Sequence, residues 1–172
     1  MKLLKRITDK DINGTDRISL AKPRLKARAV LLDEKGSMAL MHITNFGIYV
    51  LPGGGVEEDE DLETALRREM LEETGCQIEI IQELGYIDEN RLEHDDTLIS
   101  NYWLAKVVGE IGSPQMTEEE IETGTQLQWH TPENALRLIK GWTPETYQQK
   151  FLQLRDIIVM NEAIEVFGRG GY

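Results

Sequence analysis

Residues 51–76, "LPGGGVEEDEDLETALRREMLEETGC", decide how the rest of the chain is read. Three glycines precede an acidic run and then a segment of helical spacing that stops at Gly75, the expected C-cap glycine. With Leu62 at zero on a helical wheel, Ala65 falls at about −60° and Leu66 at about +40°, which marks an apolar stripe. Glu69 then falls at about −20°, Glu73 at about +20° and Glu72 at about −80°, on the side that should face the core. Three mutually repelling anions near the negative pole of a helix dipole are costly unless a cation lies among them. Arg67 and Arg68 fall at about 140° and about −120°, and only Arg68 reaches round to Glu72 at i, i+4. The pattern therefore predicts a bound cation, and an all-oxygen ligand set without nearby His or Cys suits Mg²⁺, with Mn²⁺ as the alternative. The earlier acids, Glu57 to Glu63, read as a solvated face that favours a helix N-terminus. Gly53, Gly54 and Gly55 read as a loop that offers backbone amides to phosphate oxygens.

Outside this stretch, 172 residues with 40% hydrophobic content match a single domain, residues 1–172, with a real core. No 18 consecutive residues are apolar, and no signal-length apolar run follows the basic opening "MKLLKRITDK", so a soluble, cytoplasmic protein without a membrane partner is expected. The lone cysteine, Cys76, excludes an internal disulfide and a CxxC metal site, and reads as a small buried hydrophobe in a reducing compartment. A net charge of −12 argues against tight binding to a nucleic-acid backbone. That charge is uneven: residues 1–28 carry nine Lys or Arg against three Asp, a net of +6, which leaves −18 for the remainder. The basic segment 1–23 reads as a solvated, partly mobile N-terminus, or as an arm that helps attract an anionic ligand.

Strand-like runs cover 26–33 and 37–43 around "EKG", then 47–52. A helix is predicted from about Asp61 to Thr74. Two longer strands, "QIEIIQELGYIDEN" and "TLISNYWLAKVVGE", flank the polar "RLEHDD", and "IGSPQMTEEEIETG" reads as a loop. A strand "TQLQWH" leads to a helix with Thr131 as N-cap and Pro132 at its first position. "TPET" at 143 launches a last helix, 143–167. This order predicts a mixed sheet with helices on its faces. The last helix carries apolar residues from Phe151 to Phe167 over more than one stripe, which predicts a symmetric homodimer through it.

The opening segment resembles the Nudix box of the Nudix (MutT-type) hydrolases, Gx5Ex7REUxEExGU with U a bulky apolar residue. The matching residues are Gly54, Glu60, Arg68, Glu69, Met70, Glu72, Glu73, Gly75 and Cys76, and the sole departure is Cys76 where Ile, Leu or Val is usual. "LPGG" before the box and "LQWHTPENAL" (127–136) agree more loosely, so the resemblance covers roughly residues 24–140. It implies an α/β/α sandwich, a catalytic loop-helix and metal-dependent pyrophosphohydrolase activity on a nucleoside diphosphate linked to a moiety X. It also implies that Glu69, Glu72 and Glu73 hold one or more Mg²⁺ ions, that the Gly53 carbonyl adds a ligand, and that Arg68 orients the glutamates by ion pairing that includes Glu60. A carboxylate would position or deprotonate the attacking water. That base is a helix glutamate or one from the loop holding Glu118, Glu119, Glu120 and Glu122, with Glu120 or Glu122 preferred.

Subfamily markers do not resolve X. No proline lies between Cys76 and Pro114, no "SQPWPFPxS"-like string occurs, and no tyrosine stands 16 to 18 residues past the box. His42, Phe46, Tyr49, Tyr102, Trp103 and Trp129 are candidates for stacking on a base, although aromatics in strands more often belong to a core. The alternatives are an enzyme acting on RNA 5′ caps or pyrophosphate, and a non-catalytic nucleotide-sensing module.

Overall fold

The computed structural model describes residues 1–170. The chain runs β1 (Leu3–Thr8), α1 (Asp9–Ile12), β2 (Arg24–Leu32), β3 (Met38–Ile43), β4 (Ile48–Val50), β5 (Gly53–Gly55), α2 (Leu62–Thr74), β6 (Gln77–Arg91) and β7 (Asp96–Val108). It continues with α3 (Glu118–Glu122), β8 (Thr125–His130), α4 (Pro132–Gly141) and α5 (Tyr147–Gly170). The strands form one mixed sheet in the order β1-β6-β7-β2-β3-β4, with β5 added beside β2 and β8 beside β3. β1 runs parallel to β6, and β2 parallel to β7.

A strand buried on both faces cannot alternate apolar and polar along its whole length, and β2 shows this. Ala27, Ala29 and Leu31 point to one face, where they meet Ala65, Leu66 and Met70 of α2. Val30 and Leu32 point to the other, beneath Ala135 and Ile139 of α4 and Phe151, Val159, Met160 and Ala163 of α5. The result is the expected α/β/α sandwich. By the same alternation Arg24, Lys26 and Arg28 lie on the α5 side.

Four expectations need correction. The basic N-terminal segment is not wholly a loose tail: β1 pairs with β6 from Leu3↔Tyr86 to Thr8↔Asn90, and Ile7 is fully buried. The glycine triad is a strand rather than an open loop, antiparallel to β2 in the register Arg28↔Gly53, Ala27↔Gly54, Lys26↔Gly55. The supposed loop 111–124 contains α3, closed by a capping box in which Thr117 and Glu120 bond reciprocally. The last helix begins at Tyr147, four residues later than expected, with the Gln149 N–H donating to Thr146 Oγ1 at 3.2 Å.

The dimer expectation loses its basis as well. The surplus apolar residues of α5, Leu154, Ile157, Ile158, Ile164, Val166 and Phe167, pack against the chain's own core. Among the described residues no large apolar side chain of α5 is exposed. The helix is wedged across its own sheet, and its wide apolar coat serves that packing.

Candidate active site

The helix that carries the acidic cluster is fixed at both ends. Asp61 accepts from the Thr64 N–H at 2.7 Å, and Gly75, at φ 69°, donates its N–H back to Leu71. The buried residues of α2 are Ala65, Leu66, Met70 and Thr74, so the core stripe is rotated away from Glu72, which the wheel had placed at its edge. Glu69 and Glu73 border that stripe. The side chain of Glu69 is 12% exposed and that of Glu72 45%.

Arg68 does more than the wheel suggested. Its Nε and Nη2 grip the two oxygens of Glu60 at 2.7 and 2.9 Å, while Nη1 reaches Glu69 at 2.9 Å and Glu72 at 3.0 Å. Nη2 also donates to the Gly55 carbonyl at 2.8 Å. The fork geometry of a guanidinium makes this possible from one side chain. The hydrogen bonds from Arg68 hold Glu60 down at about 2, and Glu60 in turn keeps Arg68 above the ordinary arginine value.

Glu73 stands apart from this network. Its Oε2 accepts the Gly53 N–H at 2.6 Å, and it has no ion-pair partner within 4.0 Å among the described residues. Desolvation raises it to about 7, with Glu69 and Glu120 adding repulsion and Arg28 opposing. Burial likewise raises Glu69, against the pull of Arg68.

The glycines position these groups. Gly53 has φ +124°, and a Cβ there would run into the backbone of β2; a Cβ on Gly54 would overlap the Glu69 carboxylate. The Gly53 amide, expected to face phosphate, instead holds Glu73, and the Gly53 carbonyl accepts from Arg28 Nη1 at 2.6 Å.

A cleft of about 310 Å³ opens beside Glu73, lined by Arg28, Phe46, Glu119, Glu120 and Leu152 among others. Glu120 is thus brought to the site, although one of its oxygens caps α3 through Thr117 N at 2.7 Å. Glu122 does not line this cleft, and its main-chain carbonyl accepts from Asn45. Of the aromatic candidates, Phe46 lines it. Tyr102 and Trp103 are core residues, and Tyr49 stacks on His42 at 4.2 Å.

The donor set can be tested against a metal ion. Among the described residues no three acidic, His or Cys side chains converge as a finished ligand cage. Glu69 and Glu72 are turned onto Arg68, and Glu73 onto the Gly53 amide. The chemistry still fits a hard divalent ion: the candidate ligands are all oxygen, and Glu73 is a desolvated carboxylate without an ion pair among the described residues, although the Gly53 carbonyl is engaged by Arg28. Glu119, a loop candidate that the sequence did not prefer, lines the cleft as well, and sequence reasoning missed Arg28. Arg28 had a signal, as the third basic residue at alternate positions 24, 26 and 28 on one face of β2.

Comparison with known proteins identifies the family. The family model "NUDIX domain" matches residues 22–151. An RNA pyrophosphohydrolase of Novosphingobium aromaticivorans is 28% identical over 124 residues, covering 63% of this chain and 75% of that protein. A NUDIX hydrolase from Nitrosomonas europaea superimposes with a TM-score of 0.62 at 18% identity, covering 84% of this chain and 90% of the other. The NUDIX domain of Shewanella oneidensis NrtR, crystallised with ADP ribose, gives a TM-score of 0.59 at 19% identity, covering 86% and 90%. With its fold and its box residues in the arrangement described, the chain belongs to the NUDIX family of hydrolases.

Proposed function

We propose that the protein hydrolyses the diphosphate linkage of a nucleoside diphosphate joined to a moiety X, with Mg²⁺ as cofactor, and that Glu69, Glu72, Glu73 and the Gly53 carbonyl hold the ion. The observation that carries this reading is Glu73: a buried carboxylate held by the Gly53 N–H, near Glu69 and Glu120, with no cation in ion-pair contact among the described residues and only Arg28 acting from farther off. When bound, the metal draws charge from the phosphoryl oxygens and lowers the pKa of water. Arg68 holds Glu60, Glu69 and Glu72 together from one guanidinium, so the ligands stand close by and would turn from the arginine to the ion on binding. Glu120, which lines the same cleft as Glu73, takes the proton of the attacking water as its oxygen bonds to phosphorus and the bridging P–O bond breaks. Phe46 offers a face for the base at the cleft mouth. The buried free thiol of Cys76 suits a cytoplasmic setting.

The test is a screen of nucleoside triphosphates, nucleotide sugars, ADP-ribose and dinucleoside polyphosphates with Mg²⁺, reading release of phosphate, diphosphate and nucleoside monophosphate. Turnover by the parent and its loss in Glu73→Gln are expected. A parent inert on every phosphoanhydride would overturn the reading. A second reading, removal of diphosphate from RNA 5′ ends, is favoured by the named relative from Novosphingobium aromaticivorans. A steep fall of RNA affinity with salt would support it.

A further inference from the structure

Behind the cleft, between β2, β6 and α5, lies a second cavity of about 210 Å³ whose walls include Arg24, Lys26, Arg28, Arg91 and Arg155 and one buried acid, Glu89. A cavity walled by five basic side chains asks what neutralises them. Asp96 pairs with both Arg24 and Arg91, and Arg155 leans on Asp156 at 2.8 Å and Glu89 at 3.7 Å. Within ion-pair distance three carboxylates thus answer five cations; Lys26 and Arg28 have no ion-pair partner among the described residues and feel Glu69 and Glu73 of the active site only from farther off. Arg28 spends its Nη1 on the carbonyls of Leu51 and Gly53.

The hydrogen-bond inventory points the same way. Arg28 Nε, Arg91 Nε and Arg155 Nη2 are buried nitrogens with no acceptor, and Arg91 and Arg155 are only 6% and 4% exposed. Buried donors of this kind are normally satisfied, and a charged group left unpaired is costly. Burial, then Arg28 and Arg24, depresses Lys26 below the usual lysine value, whereas Arg155 is held well above its own despite burial, by Asp156 first. The set therefore offers free donors to an anion that brings several acceptor oxygens.

The cavity also shares walls with the catalytic cleft. Arg28, Gln148 and Leu152 line both. A Cβ built on Gly55 would stand 3.5 Å from Lys26 Nζ, which sets that ammonium against the glycine strand of the active site. From these facts we propose that the basic cavity receives a phosphate group of the substrate lying beyond the diphosphate that is cleaved, with Lys26 as its specificity-determining contact. This rests on the hydrolase reading above and narrows X to a phosphate-bearing group, such as the rest of a polyphosphate chain or a phosphorylated sugar. A tetrahedral oxyanion supplies the acceptors the arginines lack, and the guanidinium planes suit it better than a lone carboxylate.

The experiment has a binding arm and a turnover arm. Inorganic phosphate is titrated by calorimetry into the parent, Lys26→Gln, Lys26→Arg and Glu73→Gln, all in EDTA. Phosphate should bind the parent, Glu73→Gln and Lys26→Arg alike, and bind Lys26→Gln about ten-fold more weakly, as one charge-assisted contact is lost. In Mg²⁺, kcat/KM for a nucleoside triphosphate should fall about ten-fold further in Lys26→Gln than kcat/KM for a nucleotide sugar with a neutral X. Inorganic phosphate should compete with the triphosphate. Equal phosphate affinity in the parent and Lys26→Gln, or no binding to either, overturns the proposal. So does phosphate inhibition that is not competitive, which would make the cavity a site for free anion. If phosphate binds as expected while no phosphoanhydride is turned over, the hydrolase reading fails and the anion site remains.

Discussion

Glu73 shows how one side chain reveals a missing partner. Its carboxyl ordinarily ionises at 4.5, and burial lifts it to about 7 in the folded chain. Below 4.5 it is protonated in both folded and unfolded states and costs nothing. As pH rises towards 7 the unfolded chain releases the proton first, so metal-free stability falls, by about 3 kcal/mol once both states are ionised. Glu73→Gln removes that charge while keeping the shape. In EDTA the variant should match the parent at pH 4.5 and exceed it at pH 8, as read from denaturant midpoints. Mg²⁺ should then raise the parent's stability by binding the native state and leave the variant nearly unmoved. A variant that melts lower than the parent in EDTA at pH 8, yet still turns over substrate, would make Glu73 an ordinary structural acid. Glu60 offers the contrast, because its bidentate pairing with Arg68 holds it at about 2. Glu60→Gln should lower kcat by at least about ten-fold through the loosened arginine, with affinity for Mg²⁺ weakened less than in Glu73→Gln.

At the scale of elements, β5 and α2 act as one device. The close approach of Gly54 to the Glu69 carboxylate leaves no room for a methyl group, but the atom in the way is the end of a flexible side chain. Gly54→Ala should therefore cost less than about 1 kcal/mol of stability while displacing Glu69 and lowering hydrolysis more than ten-fold. Melts and turnover measured on the same sample check both halves. Gly75→Ala is the opposite case, since φ 69° and the Gly112 backbone leave a side chain nowhere to go, and about 1 kcal/mol or more of stability should be lost. The α2 helix was legible in the sequence because period, N-cap and C-cap all agreed on it. The strand of three glycines was not, because glycine has no strand preference and β5 exists only where the edge of β2 and the Glu73 carboxylate bind it. The α3 turn had its capping box in plain view at Thr117 and Glu120, yet five residues are too few for a periodic signal. Arg91 and Arg155 escaped notice for a further reason: they sit far from the box in sequence, and only the packing of α5 on β6 brings them beside Arg28.

Across the whole molecule, the basic N-terminal segment is where sequence and structure part most clearly. Its charge reads as a solvated arm, and Arg6 does remain largely in solvent while paired to Asp88. The strand was hidden because its inward-facing signal is short: within Leu3–Thr8 only Ile7 is fully buried. What decides the matter is tertiary, since β6 presents an open edge that β1 completes in parallel register. Behind it, Asp9 is buried and accepts from Tyr147 Oη at 2.5 Å and from the Leu92 N–H at 3.1 Å, tying the segment to α5 and to the β6–β7 connection. A mobile arm predicts that changes here leave stability untouched. The sandwich predicts otherwise: Ile7→Ala, by opening a cavity under α5, should cost about 2–4 kcal/mol in urea unfolding. Because β1 lies beyond β6 and β7 from the glutamates carried beside β2, the stabilisation conferred by saturating Mg²⁺ should be the same in Ile7→Ala as in the parent. Unchanged unfolding midpoints in Ile7→Ala would return the segment to the solvent, and a shrunken Mg²⁺ effect would show that the far edge of the sheet helps to shape the metal site.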